Sequence, residues 1–292
     1  MFVGSMTALV TPMRNGAVDE EALRQLVERQ IAAGIDGLVP CGTTGESPTL
    51  SPEEHRRIIT IVVQETRKRV PVIAGAGSNS TSKSAELAQA AREAGADGIL
   101  VVTPYYNKPT QEGLYRHFAF VAEKARLPVV LYNVPGRTGC DLLPDTVARL
   151  AEIPGIVAIK EATGSVARTQ EILQRVGDRL VVLSGDDGTC FPAMCVGARG
   201  VISVTSNVVP DRMAALWDAV RSGDFDRARS IHNDLLSLHE AMFLESNPIP
   251  VKAALAMMGL IAPEIRLPLV PLSERAAEKL RAVLRAKGLL AV

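Results

Sequence analysis

The chain has 292 residues, with 32 basic side chains matched by 32 acidic ones, so no net field points toward nucleic acid or an anionic membrane. Hydrophobic residues make up 47% and aromatics only 4%, which favours a core of Val, Ile, Leu and Ala such as a buried parallel sheet requires. The longest stretches without a charge, residues 1–13 and 70–82, are too short for a transmembrane helix, and the first lacks the basic start of a signal peptide, so a cytoplasmic protein is expected.

An apolar strand begins near Met6. Asp19 then opens a helical pattern, Ala22–Gly34, with Leu23, Leu26, Val27 and Ile31 facing inward. A second strand begins near Leu38. In "SPEEHRRIITIVVQETRKR", Ser51 is the N-cap, Pro52 the first helical residue and Glu54 the closure of a capping box. Its Ile58, Ile59, Val62 and Val63 form one apolar face, and Arg67–Arg69 sit at the negative end of the dipole. Further strands begin near Val72, Ile99, Val129, Val157, Leu180 and Val201. Three junctions resemble one another: "AAGIDGLV", "EAGADGIL" and "CVGARGVI". In each, one glycine (Gly34, Gly95, Gly197) suits a left-handed helix cap, and another three residues on (Gly37, Gly98, Gly200) opens an apolar run.

Eight strand starts spaced by about 28 residues suit successive βα units. The expected fold is a (β/α)₈ TIM barrel over residues 1–210, with 211–292 as a helical extension packed on it. A doubly wound open sheet is the alternative, and it would need a GxGxxG-type turn after the first strand, which "TALVTPMRNG" lacks. Cys41, Cys140, Cys190 and Cys195 show no CxxC or zinc-ligand spacing, so reduced thiols packed as small hydrophobes are expected.

Barrels of this kind carry their chemistry at the C-terminal ends of the strands. There the sequence places "CGTTGES", "GAGSNS", "TPYYNKPT", "YNVPGRTG", Lys160-Glu161, "SGDDGT" and "SVTSN". Metal catalysis would need histidines or clustered carboxylates at those ends, yet all four histidines fall in helical patterns, so no metal is expected. Serine or cysteine nucleophiles lack a placed base, Cys41 included. "GTTGES" lacks the lysine of a phosphate-binding loop.

Lys160 remains, at the end of the buried-looking run Ile156–Ile159. The bland alternative is a structural lysine paired with Glu161. Adjacent strand residues point to opposite faces, however, so a Lys160 facing the barrel interior could not pair with its neighbour directly. An unpaired lysine among apolar side chains has more of its free amine, which attacks ketones to give an imine, an electron sink. Tyr132 and Tyr106, on the next two strands, offer phenols to move the protons.

"GTTGES", "PYYNKPTQEG", "YNVPGRTG", "IKEATG", "SGDD", "ISVTSN" and "ESNPIPVK", in order from Gly42 to Lys252, closely resemble the dihydrodipicolinate synthase family. That family belongs to the pyruvate-dependent class I aldolases, which also include N-acetylneuraminate lyase. The resemblance implies condensation of pyruvate with L-aspartate 4-semialdehyde, on the route to diaminopimelate and lysine, with no cofactor. It assigns the Schiff base to Lys160, acid/base work to Tyr132, and a proton relay to Thr43 and to Tyr106 from a neighbouring subunit. Thr44, Ile202 and Gly185 would hold pyruvate. Arg137 would bind the carboxylate of the second substrate, where the lyase branch resembles "YNIP" followed by an apolar residue. A related aldolase acting on another carboxylated aldehyde, and a non-catalytic metabolite-binding barrel, are the alternatives.

Many members are inhibited by lysine at a dimer-interface cleft. By resemblance it would involve Ser47, Pro48, Pro52, His55, Asn79, Lys83 and Tyr105. Lys83 stands where inhibitable relatives carry a glutamate, and Pro52 where they often carry histidine, so weak or absent lysine inhibition is expected. The family also implies a homotetramer, a dimer of tight dimers.

Overall fold

The computed structural model describes residues 2–290, and all eight expected strands are present. They are β1 (Gly4–Ala8), β2 (Gly37–Val39), β3 (Ile73–Gly75), β4 (Gly98–Val102), β5 (Val129–Asn133), β6 (Ile156–Glu161), β7 (Val181–Ser184) and β8 (Gly200–Ser203). They pair in parallel, in the order β2-β1-β8-β7-β6-β5-β4-β3. A bridge between Leu38 and Val72 joins the two outer strands, giving a nearly closed barrel rather than an open sheet.

The outer ring is formed by α1 (Glu20–Ala32), α2 (Pro52–Thr66), α3 (Thr81–Glu93), α4 (Gln111–Ala125), α5 (Pro144–Leu150), α6 (Val166–Val176), α7 (Cys190–Cys195) and α8 (Pro210–Arg221). Asp19 caps α1 by accepting from the Ala22 N–H, and Ser51 and Glu54 close a reciprocal capping box on α2. Gly34, Gly95 and Gly197 take φ of +86°, +88° and +117°, as a residue ending a helix in the left-handed region must.

Helix α2 stops at Thr66, short of the expected basic turn, because Arg67 and Lys68 go left-handed (φ 49° and 57°). Arg69 instead forks onto the Glu28 carboxylate at 2.9 and 2.5 Å, an ion pair between α1 and the end of α2. A short two-stranded hairpin outside the eight expected strands, Met13–Arg14 with Ala17–Val18, turns through Asn15 and Gly16 at positive φ.

Side chains of the strands alternate between two apolar layers. Met6, Ile73, Leu100, Val130, Ala158, Leu183 and Ile202 fill the barrel interior. Leu23, Ile58, Val62, Phe118 and Leu131 belong to the larger layer between strands and helices. β6 breaks the alternation once: Val129 faces Ile156 but Val130 faces Ala158, a bulge that lets both Val157 and Ala158 pack inward.

Helix α8 packs against β1, so the eighth ring position lies beyond residue 210. Behind it come α9 (Phe225–Ala241), α10 (Ile249–Met257) and α11 (Glu274–Ala286), whose Leu235, Val251, Leu255 and Leu280 continue the outer apolar layer. Residues 291 and 292 lie outside the described residues. All four cysteines are free; three are buried as expected, but Cys195 is exposed because α7 ends there and leaves it at the surface. Among the described residues no helix is long and apolar enough to cross a membrane.

Candidate active site

At the C-terminal end of β6, Lys160 and Glu161 part to opposite faces. Lys160 is 5% exposed, on the same inner face as Ala158. Its Nζ lies 4.3 Å from the ring centroid of Tyr132, its register partner on β5. Glu161 faces outward, accepting from the Asn133 amide at 3.0 Å and the Thr163 N–H at 2.8 Å. Among the described residues Lys160 forms no ion pair, which removes the structural-lysine alternative. Lys252 shows the contrast: equally buried, it is paired with Glu46. Burial nevertheless pulls the Lys252 pKa below its ordinary value.

Gly185, after β7, makes room for the lysine stem. A Cβ there would stand 3.0 Å from both Cγ and Cε of Lys160 and 2.6 Å from Cβ of Ala162. Gly185→Ala is expected to displace the amine and lower kcat by roughly 10²-fold, since an ångström of misplacement is enough for that loss. Steady-state kinetics on fully folded protein checks it.

A cavity of about 330 Å³ opens beside this pair. Thr43, Tyr132 and Arg137 line it, and so do Ser47, Pro48, Pro52, His55, Lys83 and Tyr105. The residues expected in a separate effector cleft thus share one continuous space with the catalytic candidates within a single chain. Asn79 does not line it; its carbonyl instead accepts from the Asn107 side chain at 2.9 Å. The lining holds Lys83 and Arg137 and no acidic side chain, so it favours anionic ligands. Lys160 does not line this cavity; it lies against the Tyr132 ring, which does. His55 donates from Nε2 to the Gly75 carbonyl at 2.8 Å, and burial lowers its pKa, so it stays neutral. Burial pushes the Cys41 thiol well up, and its Sγ donates to the His55 backbone carbonyl at 3.7 Å rather than to the imidazole.

The loop carrying Thr43 and Thr44 is tied down from far along the chain. Asn247 donates its amide to Thr44 Oγ1 at 3.0 Å, and its carbonyl accepts from Arg137 at 3.2 Å. Glu46, left-handed at φ 57° and buried, joins Lys252 on α10 and accepts from the Arg266 N–H at 3.0 Å. Arg266 forks onto Glu54 at 2.7 and 2.5 Å. Sequence reasoning misses Glu46, Asn247 and Arg266 as site residues. Partners 203 and 206 positions apart leave no periodic trace. The buried charges Glu46 and Lys252 are the one available hint.

Across the mouth, Asp187 accepts from the Val204 and Thr205 N–H groups at 2.9 Å each, fixing the turn that follows Ile202. Ile202 itself is fully buried in the inner layer with Tyr132. Tyr106 is the outlier. It is 89% exposed at φ 75°, held by its N–H to the Thr138 carbonyl at 3.2 Å, and it does not line the cavity.

The site thus joins a (β/α)₈ barrel, the fold of a large class of enzymes, with a buried, unpaired amine against a phenol at the C-terminal mouth. The model of the Dihydrodipicolinate synthetase family matches residues 1–287, and the chain belongs to that family. It is 57% identical over 290 residues to the 4-hydroxy-tetrahydrodipicolinate synthase of Pelobacter propionicus, covering 99% of this chain and 100% of that one. It is 59% identical to the enzyme of the same name from Geotalea uraniireducens, with the same coverage. Among solved structures, the dihydrodipicolinate synthase of Acinetobacter baumannii complexed with pyruvate superposes with a TM-score of 0.98 at 49% identity, covering 99% of this chain and 100% of that one.

Proposed function

We propose that this chain condenses pyruvate with L-aspartate 4-semialdehyde to give (4S)-4-hydroxy-2,3,4,5-tetrahydrodipicolinate and water, the first committed step toward diaminopimelate and lysine. The observation that carries the proposal is Lys160: buried, without an acidic partner, and stacked on Tyr132 in a chain whose relatives carry that enzyme's name.

Lys160 attacks the pyruvate ketone, and loss of water gives a protonated imine. Tyr132 moves the protons of that dehydration, with Thr43 beside it in the cavity. Thr44 and the backbone around Ile202 hold the pyruvate carboxylate, and Gly185 leaves space for the lysine stem. Loss of a methyl proton gives an enamine, whose carbon attacks the aldehyde while Arg137 holds the second substrate's carboxylate. The substrate's amino group then closes on the imine carbon and expels the Lys160 amine. The amine is itself the electron sink, so the steps balance without a cofactor.

The active form on this proposal is a cytoplasmic homotetramer, a dimer of dimers, in which Tyr106 of one subunit completes the relay of its neighbour. Its 89% exposure on a left-handed backbone supports that role, since among the described residues nothing hydrogen-bonds the phenol. Borohydride reduction with pyruvate, followed by peptide mapping, tests the chemistry: a stable adduct at Lys160 is expected, and an adduct elsewhere or none refutes it.

Regulation by free lysine is expected to be absent or weak. The cavity lined by Ser47, His55 and Tyr105 also carries Lys83 and no carboxylate, so a cationic ligand meets like charge. In a steady-state assay, millimolar lysine should leave the rate nearly unchanged; half-inhibition at sub-millimolar lysine would contradict this.

A further inference from the structure

We infer that Asn133 and Glu161 form a register lock, which makes them positioning residues for Tyr132 and Lys160. The inference rests on the assignment of Lys160 as the reacting amine and goes on to what aims it. A strand's side chains alternate strictly, so a slip of one residue in β6 would turn Lys160 out toward the helices and bring Glu161 into the barrel. β6 is where such a slip has slack. Its pairing to β5 jumps between Val129 and Val130, leaving Val157 as an extra residue. The β5 side of the pairing therefore leaves slack in which of Lys160 and Glu161 faces the barrel interior, and only the β7 side runs in unbroken register.

A side-chain constraint on that register sits one residue past the reactive pair. Asn133 pairs in register with Glu161 as Tyr132 does with Lys160. Both outer residues are buried, Asn133 fully and Glu161 at 3% exposure. The Asn133 amide donates to Glu161 at 3.0 Å and to Asp141 at 2.9 Å, and its carbonyl oxygen accepts from the Leu142 N–H at 3.0 Å. The second Glu161 oxygen takes the Thr163 N–H at 2.8 Å, and Asp141 is anchored by the fork of Arg168 at 3.1 and 3.0 Å. Both hydrogen atoms of one amide are thereby spent on two acceptors, and Glu161 has no direct cationic partner among the described residues. A buried carboxylate held this way adds little to stability over an apolar side chain, yet it fits only one register. An inward Glu161 would also have to take the space beside the Tyr132 ring, where no N–H donor of this network reaches.

The test uses the full-length enzyme and two single changes with their combination. Glu161→Gln puts an NH₂ where the Asn133 or Thr163 donor points, and Asn133→Asp sets a carboxylate against Glu161 and Asp141. Each single change is expected to lower kcat and the rate of borohydride trapping of pyruvate on Lys160 by roughly 10–100-fold, with KM for pyruvate moving less than about three-fold. In the double variant the amide introduced on β6 donates to the carboxylate introduced on β5, restoring that one link with donor and acceptor exchanged while the carboxylate at 133 still faces Asp141. Partial recovery, about three-fold or more over the poorer single variant, is expected. Singles that keep wild-type kcat and trapping, or a folded double variant no better than the poorer single, overturn the lock. Failure of the wild-type enzyme to trap pyruvate on Lys160 would instead overturn the proposed function.

Discussion

Lys160→Met is expected to lower kcat by at least ~10⁴-fold and to abolish the pyruvate adduct, because the covalent intermediate has no other amine to form on. The remaining candidates are poorly placed. Lys252 is held in a buried ion pair by Glu46, and Lys83 is carried on α3 rather than at the end of a barrel strand. Methionine matches the length and bulk of the lysine stem, so the packing against Gly185 and Tyr132 should persist and unfolding should change little. Mass spectrometry after borohydride reduction reads the adduct directly. A labelled Lys160→Met variant, or one retaining a tenth of the wild-type rate, would show that the amine has been misassigned.

Arg137→Leu should separate the two substrates. The pyruvate adduct on Lys160 should form at close to its normal rate, whereas kcat/KM for the semialdehyde should fall by roughly 10²–10³-fold, the usual loss for a charge-assisted carboxylate contact. Arg137→Lys is expected to recover only part of this, since a point charge does not replace a planar fork. Arg137 is exposed and its Nη2 donates to the Asn247 carbonyl, so removing it should leave the core intact. Equal loss in pyruvate trapping would place Arg137 on the first substrate instead.

Most of the barrel could be read from local chemistry. Cap residues such as Asp19 and Ser51, and glycines such as Gly34 and Gly95, act within one turn of where they stand, so the order of helices and strands is written in short windows. That Lys160 and Glu161 part to opposite faces was also legible, because alternation along a strand separates them whatever surrounds them, but which of the two faces inward was not. Features set by distant partners were not. The left-handed turn at Arg67 serves the Arg69–Glu28 contact with another helix, and no neighbour in sequence announces it. The merging of the expected effector cleft with the catalytic cavity depends on how the loops after β2 and β3 lie against each other, which spacing does not encode. The hairpin at Asn15-Gly16 is a different case: the Asn-Gly signal was present, and two-residue strands were too short to register against it.

The tether from Asn247, Lys252 and Arg266 to the Thr44–Glu54 stretch has a consequence for how this chain can be divided. A fragment ending after the eighth strand would keep Lys160 and every tyrosine yet lose the guy-ropes that hold Thr44 and Glu46 taut. The heritable unit of this chemistry is consequently the whole polypeptide, and shuffling the barrel alone onto another tail would transplant its walls without its working mouth.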